Sequence, residues 1–303
     1  MVEIGGQTTT IPSHFTLFYN IVIPCLLLFG LLPNVIVMIK NGPVDGENDP
    51  TQGFWGPKTA TVNWCEADYV VTQYVAEWWN TLSSFTIVFY GILGFYKHYK
   101  SAEVRYLAAF LFFTIVGCGS AAFHGSLLRS MQMMDELPMI WGNMIFFYIL
   151  ISIEDKKGRT RNLDIVILLL MTVVSTYLIT VFDEKAGGQD IFLVCYGSGV
   201  VFLVHKSRRL DLKYNSKNIV IMKEVAVFFY ATGFVLWLTD RNFCGTVRSL
   251  NLHAIWHLFA GIGTYTAMLF WIWVRNENLE RKQTVRGTFV TRWVEFDGLD
   301  KKI

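Results

Sequence analysis

The stretch 252–274, LHAIWHLFAGIGTYTAMLFWIWV, runs for 23 residues without one Asp, Glu, Lys or Arg. An uncharged run of about 17–25 residues is long enough to cross the hydrocarbon core of a bilayer as a helix. The run therefore predicts a membrane-spanning helix. Its two histidines, His253 and His257, stand at one end of that helix.

Seven further apolar runs precede this one, and only 17% of the chain is charged, against about 25% in soluble domains. This pattern predicts an all-α polytopic membrane protein, a seven-transmembrane-helix bundle with an extra N-terminal transmembrane helix. The eight expected segments are Phe15–Ile39, Val75–Tyr96, Tyr106–Phe123, Leu137–Ile153, Leu163–Phe182, Ile191–Val204, Val225–Leu238 and Leu252–Val274. The net charge of +2 gives no indication of nucleic acid binding, and no protein partner is inferred.

The first segment has two readings, a retained helix or a cleaved signal peptide. A signal peptide has a basic start, whereas this chain carries Glu3 and no Lys or Arg before the apolar run. We therefore expect a retained helix. The chain then divides into an N-terminal extension, residues 1–54 with the apolar segment at about 15–39, a seven-helix domain, residues 55–274, and a tail, residues 275–303.

The orientation of the segments follows from Lys and Arg, which are enriched in cytoplasmic connections. One set of alternating connections, 97–105, 153–163, 205–224 and the tail, holds 20 basic residues, and the other set holds 6. The tail is therefore expected in the cytoplasm. The connections around residues 63–77 and 124–136 are expected on the lumenal side.

Three of the six histidines, His124, His253 and His257, fall at lumenal ends of segments. His253 and His257 are four residues apart and share one face of a helix. Three histidines with an open fourth position are the ligand set of a catalytic zinc. A single histidine at a helix end is more often a plain interfacial residue, but three at one membrane depth favour zinc.

Two polar residues lie near the same depth. Asp135 opens the fourth segment and is the candidate for a general base, although an acid at a helix start also interacts favourably with the helix dipole. Ser120 stands four residues before His124 and shares its face. The alternative role for Ser120 is a hydroxyl bonded back to its own helix carbonyl.

A second polar cluster precedes and enters the second segment: Asn63, Trp64, Glu66, Asp68 and Glu77. Three carboxylates and an amide are oxygen donors of the kind that calcium prefers. The alternative is a solvated acidic loop with one capping Glu. Two cysteines, Cys65 and Cys244, also lie in lumenal connections, a compartment in which disulfides persist.

Several motifs resemble the alkaline ceramidases, which belong to a superfamily of seven-helix membrane hydrolases that includes the adiponectin receptors. The motifs are Trp55-Gly56-Pro57, Asn63-Trp64-Cys65-Glu66, Ala76-Glu77-Trp78-Trp79-Asn80-Thr81, Asp135-Glu136-Leu137-Pro138-Met139 and His253-Ala254-Ile255-Trp256-His257. They occur in the family's order from Trp55 to Val274. In the family pattern Asp often stands at the place of Asn63 and Asn at the place of Asp68. The pattern does not include the N-terminal extension.

The resemblance implies an enzyme, a ceramidase that cleaves ceramide or phytoceramide to a fatty acid and a sphingoid base. It implies catalytic Zn²⁺ on His124, His253 and His257, with Asp135 and Ser120 as the catalytic residues. It also implies structural or regulatory Ca²⁺ and a Cys65–Cys244 disulfide. The expected calcium ligands are Asn63, Trp64 through its backbone carbonyl, Glu66, Asp68 and Glu77.

The alternative function is a lipid-sensing membrane receptor of the same superfamily with weak or no hydrolase activity. The C-terminal residues Asp300-Lys301-Lys302-Ile303 resemble a dilysine retrieval signal displaced by one position. The expected location is therefore the endoplasmic reticulum or Golgi membrane, with the active site toward the lumen.

Overall fold

The structure, a computed structural model, describes residues 53–183, 190–214, 216–288 and 291–296. The expected first apolar segment, at about residues 15–39, lies outside the described residues. Its assignment as an extra helix therefore stays a prediction. The last residues of the tail, with the displaced dilysine motif, also lie outside them.

The described residues form seven long helices, one short helix and a pair of strands. In chain order they are α1 (Trp78–His98), α2 (Val104–Ser126), α3 (Arg129–Ser152), α4 (Asn162–Leu178), α5 (Asp190–Tyr214), α6 (Lys217–Asn242), α7 (Cys244–Val247), α8 (Leu252–Asn278), β1 (Gln283–Arg286) and β2 (Trp293–Phe296). A π-helical turn, Ile179–Asp183, continues α4, and a 3₁₀ turn, Arg248–Leu250, leads into α8.

Six of these helices, α2 to α6 and α8, are long and apolar enough to cross a membrane. The expectation of an all-α polytopic membrane protein is confirmed. The remaining long helix, α1, has 21 residues and carries polar Asn80, Ser83 and Ser84 in its first two turns. It packs against both α2 and α8, while α8 also packs against α6. α8 therefore lies inside the bundle and carries the largest share of its core.

Several helices extend beyond the uncharged runs that predicted them. α3 begins at Arg129 rather than at Leu137, so Asp135 lies inside the helix instead of opening it. The polar side chains of this early part bond within the protein: Gln132 donates to Glu136 Oε1 at 2.8 Å and accepts from the backbone N–H of Thr61 at 2.9 Å. A polar side chain can be buried within a helix when its hydrogen bonds are made, because the cost of an unsatisfied buried group is then avoided.

The same reason explains the extensions of α6 and α8. Lys223, in α6, forms a buried ion pair with Asp211 of α5. Arg275, in α8, donates to Glu103 at 2.7 Å and to the backbone carbonyl of Ile153 at 3.0 Å. Paired charges cost far less to bury than isolated ones, so both helices continue through them.

A short strand pair follows α8. β1 and β2 are antiparallel, with Gln283 opposite Phe296 and Arg286 opposite Trp293. The pair packs on the bundle: the Lys97 ammonium lies 4.0 Å from the centre of the Trp293 ring. The Tyr265 hydroxyl donates to the backbone carbonyl of Arg292 at 2.5 Å. Strands in the tail were not predicted from the sequence.

The α2–α3 contact depends on one glycine. A Cβ atom added at Gly119 would stand 1.9 Å from the backbone carbonyl oxygen of Met134. Only hydrogen fits there, so the two backbones approach closely. The same Cβ would stand 3.0 Å from the backbone nitrogen of Asp135, so the contact brings the backbone of α2 just before Ser120 close to Asp135.

We expect Gly119→Ala to destabilise the fold by about 1–3 kcal/mol, because overpacking against backbone atoms forces the helices apart. Thermal unfolding in detergent measures the change. Gly142→Ala is the matched control in α3, since a Cβ there meets nothing within 4 Å. Equal melting temperatures for the two variants would contradict the close contact.

Candidate active site and metal centre

Three histidines meet where the C-terminal end of α2 approaches the start of α8. His124 comes from α2, and His253 and His257 come from successive turns of α8. All three are buried, and their ligand nitrogens lie within 4.8 Å of one another. Nε2 of His124 lies 3.2 Å from Nε2 of His253. Two nitrogens on one tetrahedral zinc are about 3.3 Å apart, given zinc–nitrogen bonds of about 2.0–2.1 Å, so the spacing fits zinc.

The other ring nitrogen of two histidines is held by a neighbour. Nδ1 of His124 bonds to the carboxylate of Glu77, and Nδ1 of His257 lies 2.8 Å from the Ser83 hydroxyl. Partners of this kind fix the ring orientation and leave Nε2 to face a metal. The His253 ring is fixed differently, stacked on Trp64 with 3.9 Å between ring centres.

Ser120 lies beside the histidine triad. Its buried hydroxyl is 3.4 Å from Nε2 of His257 and 3.0 Å from the hydroxyl of Ser84. The alternative of a bond back to its own helix carbonyl is not the contact seen. A hydroxyl in this place can donate to an oxygen atom bound near the three imidazoles.

Asp135 lies on the neighbouring helix and is half-buried. Its carboxylate is not among the groups within 4.8 Å of one another that form the triad. Elsewhere in the bundle, the hydroxyls of Tyr196 in α5 and Tyr230 in α6 bond to each other. The backbone of Asp135 packs against Gly119 of α2, one residue before Ser120, while its carboxylate does not belong to the triad.

Glu77 lies between the triad and the expected calcium ligands. Its carboxylate is fully buried and accepts hydrogen bonds from the backbone N–H of Trp64 and from the Asn80 amide, both at 3.0 Å. It also bonds to His124. This carboxylate was expected in the calcium set alone, whereas the structure joins it to a zinc-ligand candidate.

The other acidic residues lie next to the start of α1. The two oxygens of Glu66 accept from the backbone N–H groups of Trp79 and Asn80 at 2.7 and 2.9 Å, so Glu66 caps the helix. Oδ2 of Asp68 accepts from the Asn63 amide at 2.9 Å, and its Oδ1 is buried with no hydrogen-bond partner.

Burial and the nearby Glu77 charge raise the pKa of Glu66 and of Asp68 to about 7. Crowded buried carboxylates and a buried carboxylate oxygen without a donor are features that a cation would stabilise. Oxygen donors of this type fit calcium. Among the described residues, however, the acidic side chains do not form a set with all ligand atoms within 4.8 Å, so calcium binding would draw them inward.

The loop of residues 63–68, which we call the acidic loop, also contacts α6 and is covalently bonded close to the start of α8. Cys65 and Cys244 are joined as a disulfide, with Cα atoms 5.1 Å apart. Asp240, near the end of α6, accepts from the backbone N–H of Cys65 at 3.2 Å, and its carboxylate lies near the backbone N–H groups of Leu252 and His253. The N-cap residue of α8, Asn251, makes no side-chain capping bond. A carboxylate near the start of the helix therefore interacts favourably with the free N–H groups and with the helix dipole.

Sequence analysis missed three of these residues: Ser83, Ser84 and Asp240. The two serines stand three and four residues after Asn80, and this polar face on an apolar helix was a usable signal. Asp240 gave a weaker one, since an acid at the end of an apolar run is common. Its contact with α8 depends on packing alone.

Most of the chain is similar in sequence to known proteins. The sequence profile of a family described as ceramidase matches residues 56–296. This chain belongs to the ceramidase family. Alkaline ceramidase 3 of Mus musculus is 34% identical to this family member over 257 residues, which cover 78% of this chain and 92% of the mouse protein.

Two further relatives agree with this assignment. A putative alkaline ceramidase of Dictyostelium discoideum is 30% identical and covers 73% of this chain and 88% of its own. An alkaline ceramidase of Saccharomyces cerevisiae is 28% identical and covers 70% and 76%. The expected family and the expectation of an enzyme in it are confirmed. The profile match includes β1 and β2.

We expect Asp240→Ala to lower metal affinity about 10–100-fold, as loss of a supporting partner does at other metal sites, because the start of α8 loses the group that holds His253. Metal titration of the purified protein measures the change. Asp190→Asn is the control, since this side chain is 67% exposed and lies near the same end of α6. Unchanged affinity in the Asp240 variant would remove Asp240 from the site.

Proposed function

We propose that this ceramidase-family chain is a zinc-dependent amide hydrolase of the membrane. Its substrate would be a ceramide or phytoceramide, cleaved to a free fatty acid and a sphingoid base. The observation that supports this function best is the buried triad of His124, His253 and His257, with ring nitrogens within 4.8 Å. The names of the relatives, alkaline ceramidases, supply the substrate class.

The three imidazoles would hold the zinc, with Glu77 and Ser83 fixing two of them through Nδ1. Bound zinc would supply a Lewis acid that activates water and polarises the amide carbonyl. Proton transfer and stabilisation of the developing negative charge would be carried out by side chains of the protein. All three histidines are buried, and burial disfavours a charged imidazolium relative to the neutral imidazole that metal binding needs.

Asp135 is the proposed base. Its carboxylate takes a proton from the attacking water, the water oxygen bonds to the amide carbon, and the carbon–nitrogen bond breaks. Asp135 then returns the proton to the leaving nitrogen, so that a fatty acid and a free amine result. The half-buried position of Asp135 on the α2–α3 contact, where its backbone packs against Gly119, supports this assignment.

Ser120 is proposed to donate a hydrogen bond to the carbonyl oxygen as negative charge develops. Its hydroxyl lies 3.4 Å from Nε2 of His257 and is oriented by Ser84 at 3.0 Å. A donor placed in this way is worth about 3–4 kcal/mol in comparable sites. The contribution is large because the hydroxyl is already positioned before the reaction.

The membrane placement is also part of the proposal. The distribution of 20 basic residues against 6 supports a cytoplasmic tail and an active site toward the lumen of the endoplasmic reticulum or Golgi. The catalytic domain is proposed to begin at residue 55 and its helices to end near 274. The tail would then start in the last turn of α8.

Calcium is proposed as a second, structural ion, held by Asn63, the Trp64 carbonyl, Glu66, Asp68 and Glu77. The buried, partnerless Oδ1 of Asp68 supports it. The ion would stabilise the loop that supports the triad and would take no part in the reaction. The Cys65–Cys244 disulfide is proposed to hold the same loop covalently.

We expect His253→Ala and His257→Ala to lose both zinc and activity, because each removes one of three protein ligands. Zinc content of the purified protein by elemental analysis, beside fatty acid release from ceramide, gives the result. His205→Ala is the control, as that histidine lies exposed in α5. Zinc retained in both triad variants would refute the metal assignment.

We expect Asp135→Asn to keep zinc and to lose turnover by about 10²–10⁴-fold, because an amide cannot accept the proton of water. Zinc content and initial rates are measured on one preparation. Loss of zinc with activity would instead make Asp135 a metal ligand.

We expect calcium to raise the melting temperature of the wild type and to have no effect on Asp68→Ala. A ligand at a hundredfold excess over its Kd stabilises by about 2.7 kcal/mol. Melting curves with calcium and with a chelator decide this, and Asp190→Asn serves as the exposed acidic control. An identical melting temperature of the wild type in both conditions would leave the cluster as a loop without calcium.

A further inference from the structure

The segment 53–76, which precedes α1, has two different sides. One side contributes Ala60, Val62, Trp64 and Ala76 to the apolar core around the triad. The other side exposes large apolar residues. We call this exposed set the lip: Phe54, Trp55, Val70, Val71 and Tyr74, with exposed fractions of 62%, 46%, 75%, 56% and 54%.

The lip is a built surface rather than a frayed end. The backbone N–H of Phe54 donates to the carbonyl of Gln73 at 2.8 Å, and the Trp55 indole N–H donates to the carbonyl of Tyr74 at 2.8 Å. The Phe54 ring contacts the Trp55 and Tyr74 rings, with centres 5.1 and 5.2 Å apart. The two halves of the lip are thus fixed to each other.

None of the five lip residues is charged, and the one basic residue of the segment 53–76, Lys58, is half-buried and lies outside the lip. The acidic residues of the segment turn toward the protein, where Glu66 caps α1 and Asp68 bonds to Asn63. A loop in water seldom exposes five large apolar side chains together, and an apolar patch of this kind marks a membrane or a protein partner.

The lip continues into the apolar face of α1. Trp79 lies in the first turn of α1, five residues after Tyr74, and the exposed residues Leu82, Phe85 and Phe89 extend an apolar stripe along the helix. α1 packs against α2 and α8, which are long and apolar enough to cross a membrane, so an exposed apolar stripe on α1 is suited to lipid. Trp and Tyr at the end of such a stripe are typical of the membrane–water interface.

We propose that the lip is inserted in the interface of the bilayer leaflet at the histidine end of the bundle. The occupant of this surface is lipid, because the surface is uncharged, aromatic and continuous with the apolar face of α1. Residues 53–55 and 70–75 then lie at the level of headgroups and upper acyl chains, where an amphipathic element is stabilised by its buried apolar side chains.

The lip is coupled to the triad by two backbone hydrogen bonds. The N–H of Ala76 donates to the carbonyl of Gly125 at 3.0 Å, and the N–H of Glu77 donates to the carbonyl of His124 at 2.9 Å. Tyr74 is two residues from the first of these bonds. Insertion of the lip therefore sets the depth in the membrane of the end of α2 that carries His124, without changing these bonds. Insertion would also bring the site to the depth of a ceramide amide, a step that rests on the proposed function.

The test is a depth measurement that does not depend on activity. A nitroxide is attached at Val71→Cys, in protein with Cys25, Cys118 and Cys195 replaced by Ala, reconstituted in phosphatidylcholine nanodiscs. Its accessibility to oxygen, which enriches in lipid, is compared with its accessibility to a water-soluble nickel chelate. Phe85→Cys is the lipid control and Thr246→Cys, exposed near Cys244, is the control outside the apolar stripe.

We expect the label at residue 71 to favour oxygen over the chelate several-fold more than the label at residue 246 does. A label at 71 that matches the one at 246 would overturn the proposal. An immobilised label reached by neither reagent would also overturn it, because protein would then cover the lip.

A second variant connects the lip to substrate use. Val70→Ser, Val71→Ser and Tyr74→Ser together are expected to raise the apparent KM for ceramide in nanodiscs at least fivefold, with kcat toward a soluble short-chain N-acyl sphingoid base unchanged. Equal KM values would overturn the link to substrate. Absence of hydrolysis by the wild type would refute the proposed function alone, since the depth result stands without it.

Discussion

A single buried carboxylate, that of Glu77, holds together three parts of this protein. It bonds to the backbone of the acidic loop at Trp64, to the first turn of α1 through Asn80, and to His124 of α2. A charge without solvent is tolerated only when several donors surround it. The loop, α1 and α2 therefore cannot separate without leaving this charge unpaired. The geometry of the triad depends on the same bonds, because one of them fixes the His124 ring.

Much of the fold follows from where charges are missing. The long uncharged runs predicted the seven long helices of the described residues in their order. The ends of these runs predicted that His124, His253 and His257 lie at the same end of the bundle. The ends of the helices were predicted less well. A rule that stops a helix at a charge cannot anticipate that Lys223 meets Asp211 or that Arg275 meets Glu103. Such pairs form between helices, so only the packed structure contains them.

The site was predicted in part for a similar reason. Ligands four residues apart on one helix can be read from sequence, because local geometry sets their distance. Supporting groups cannot, since they depend on how helices are rotated against each other. Ser83 reaches His257 only because α1 turns that face toward α8. The strand pair after α8 was missed because it is short and is stabilised by the bundle that it contacts.

The Cys65–Cys244 bond has a consequence for how the chain is made. The two cysteines are 179 residues apart, so the bond closes a covalent ring that contains α1 to α6. α8, which carries His253 and His257, lies outside that ring and is synthesised after it. With the proposed lumenal orientation, the ring could close during synthesis as soon as Cys244 reaches the oxidising side, before either histidine of α8 is in place. The last long helix would then pack into a bundle whose other long helices are already covalently enclosed, and the triad would be completed only after that ring.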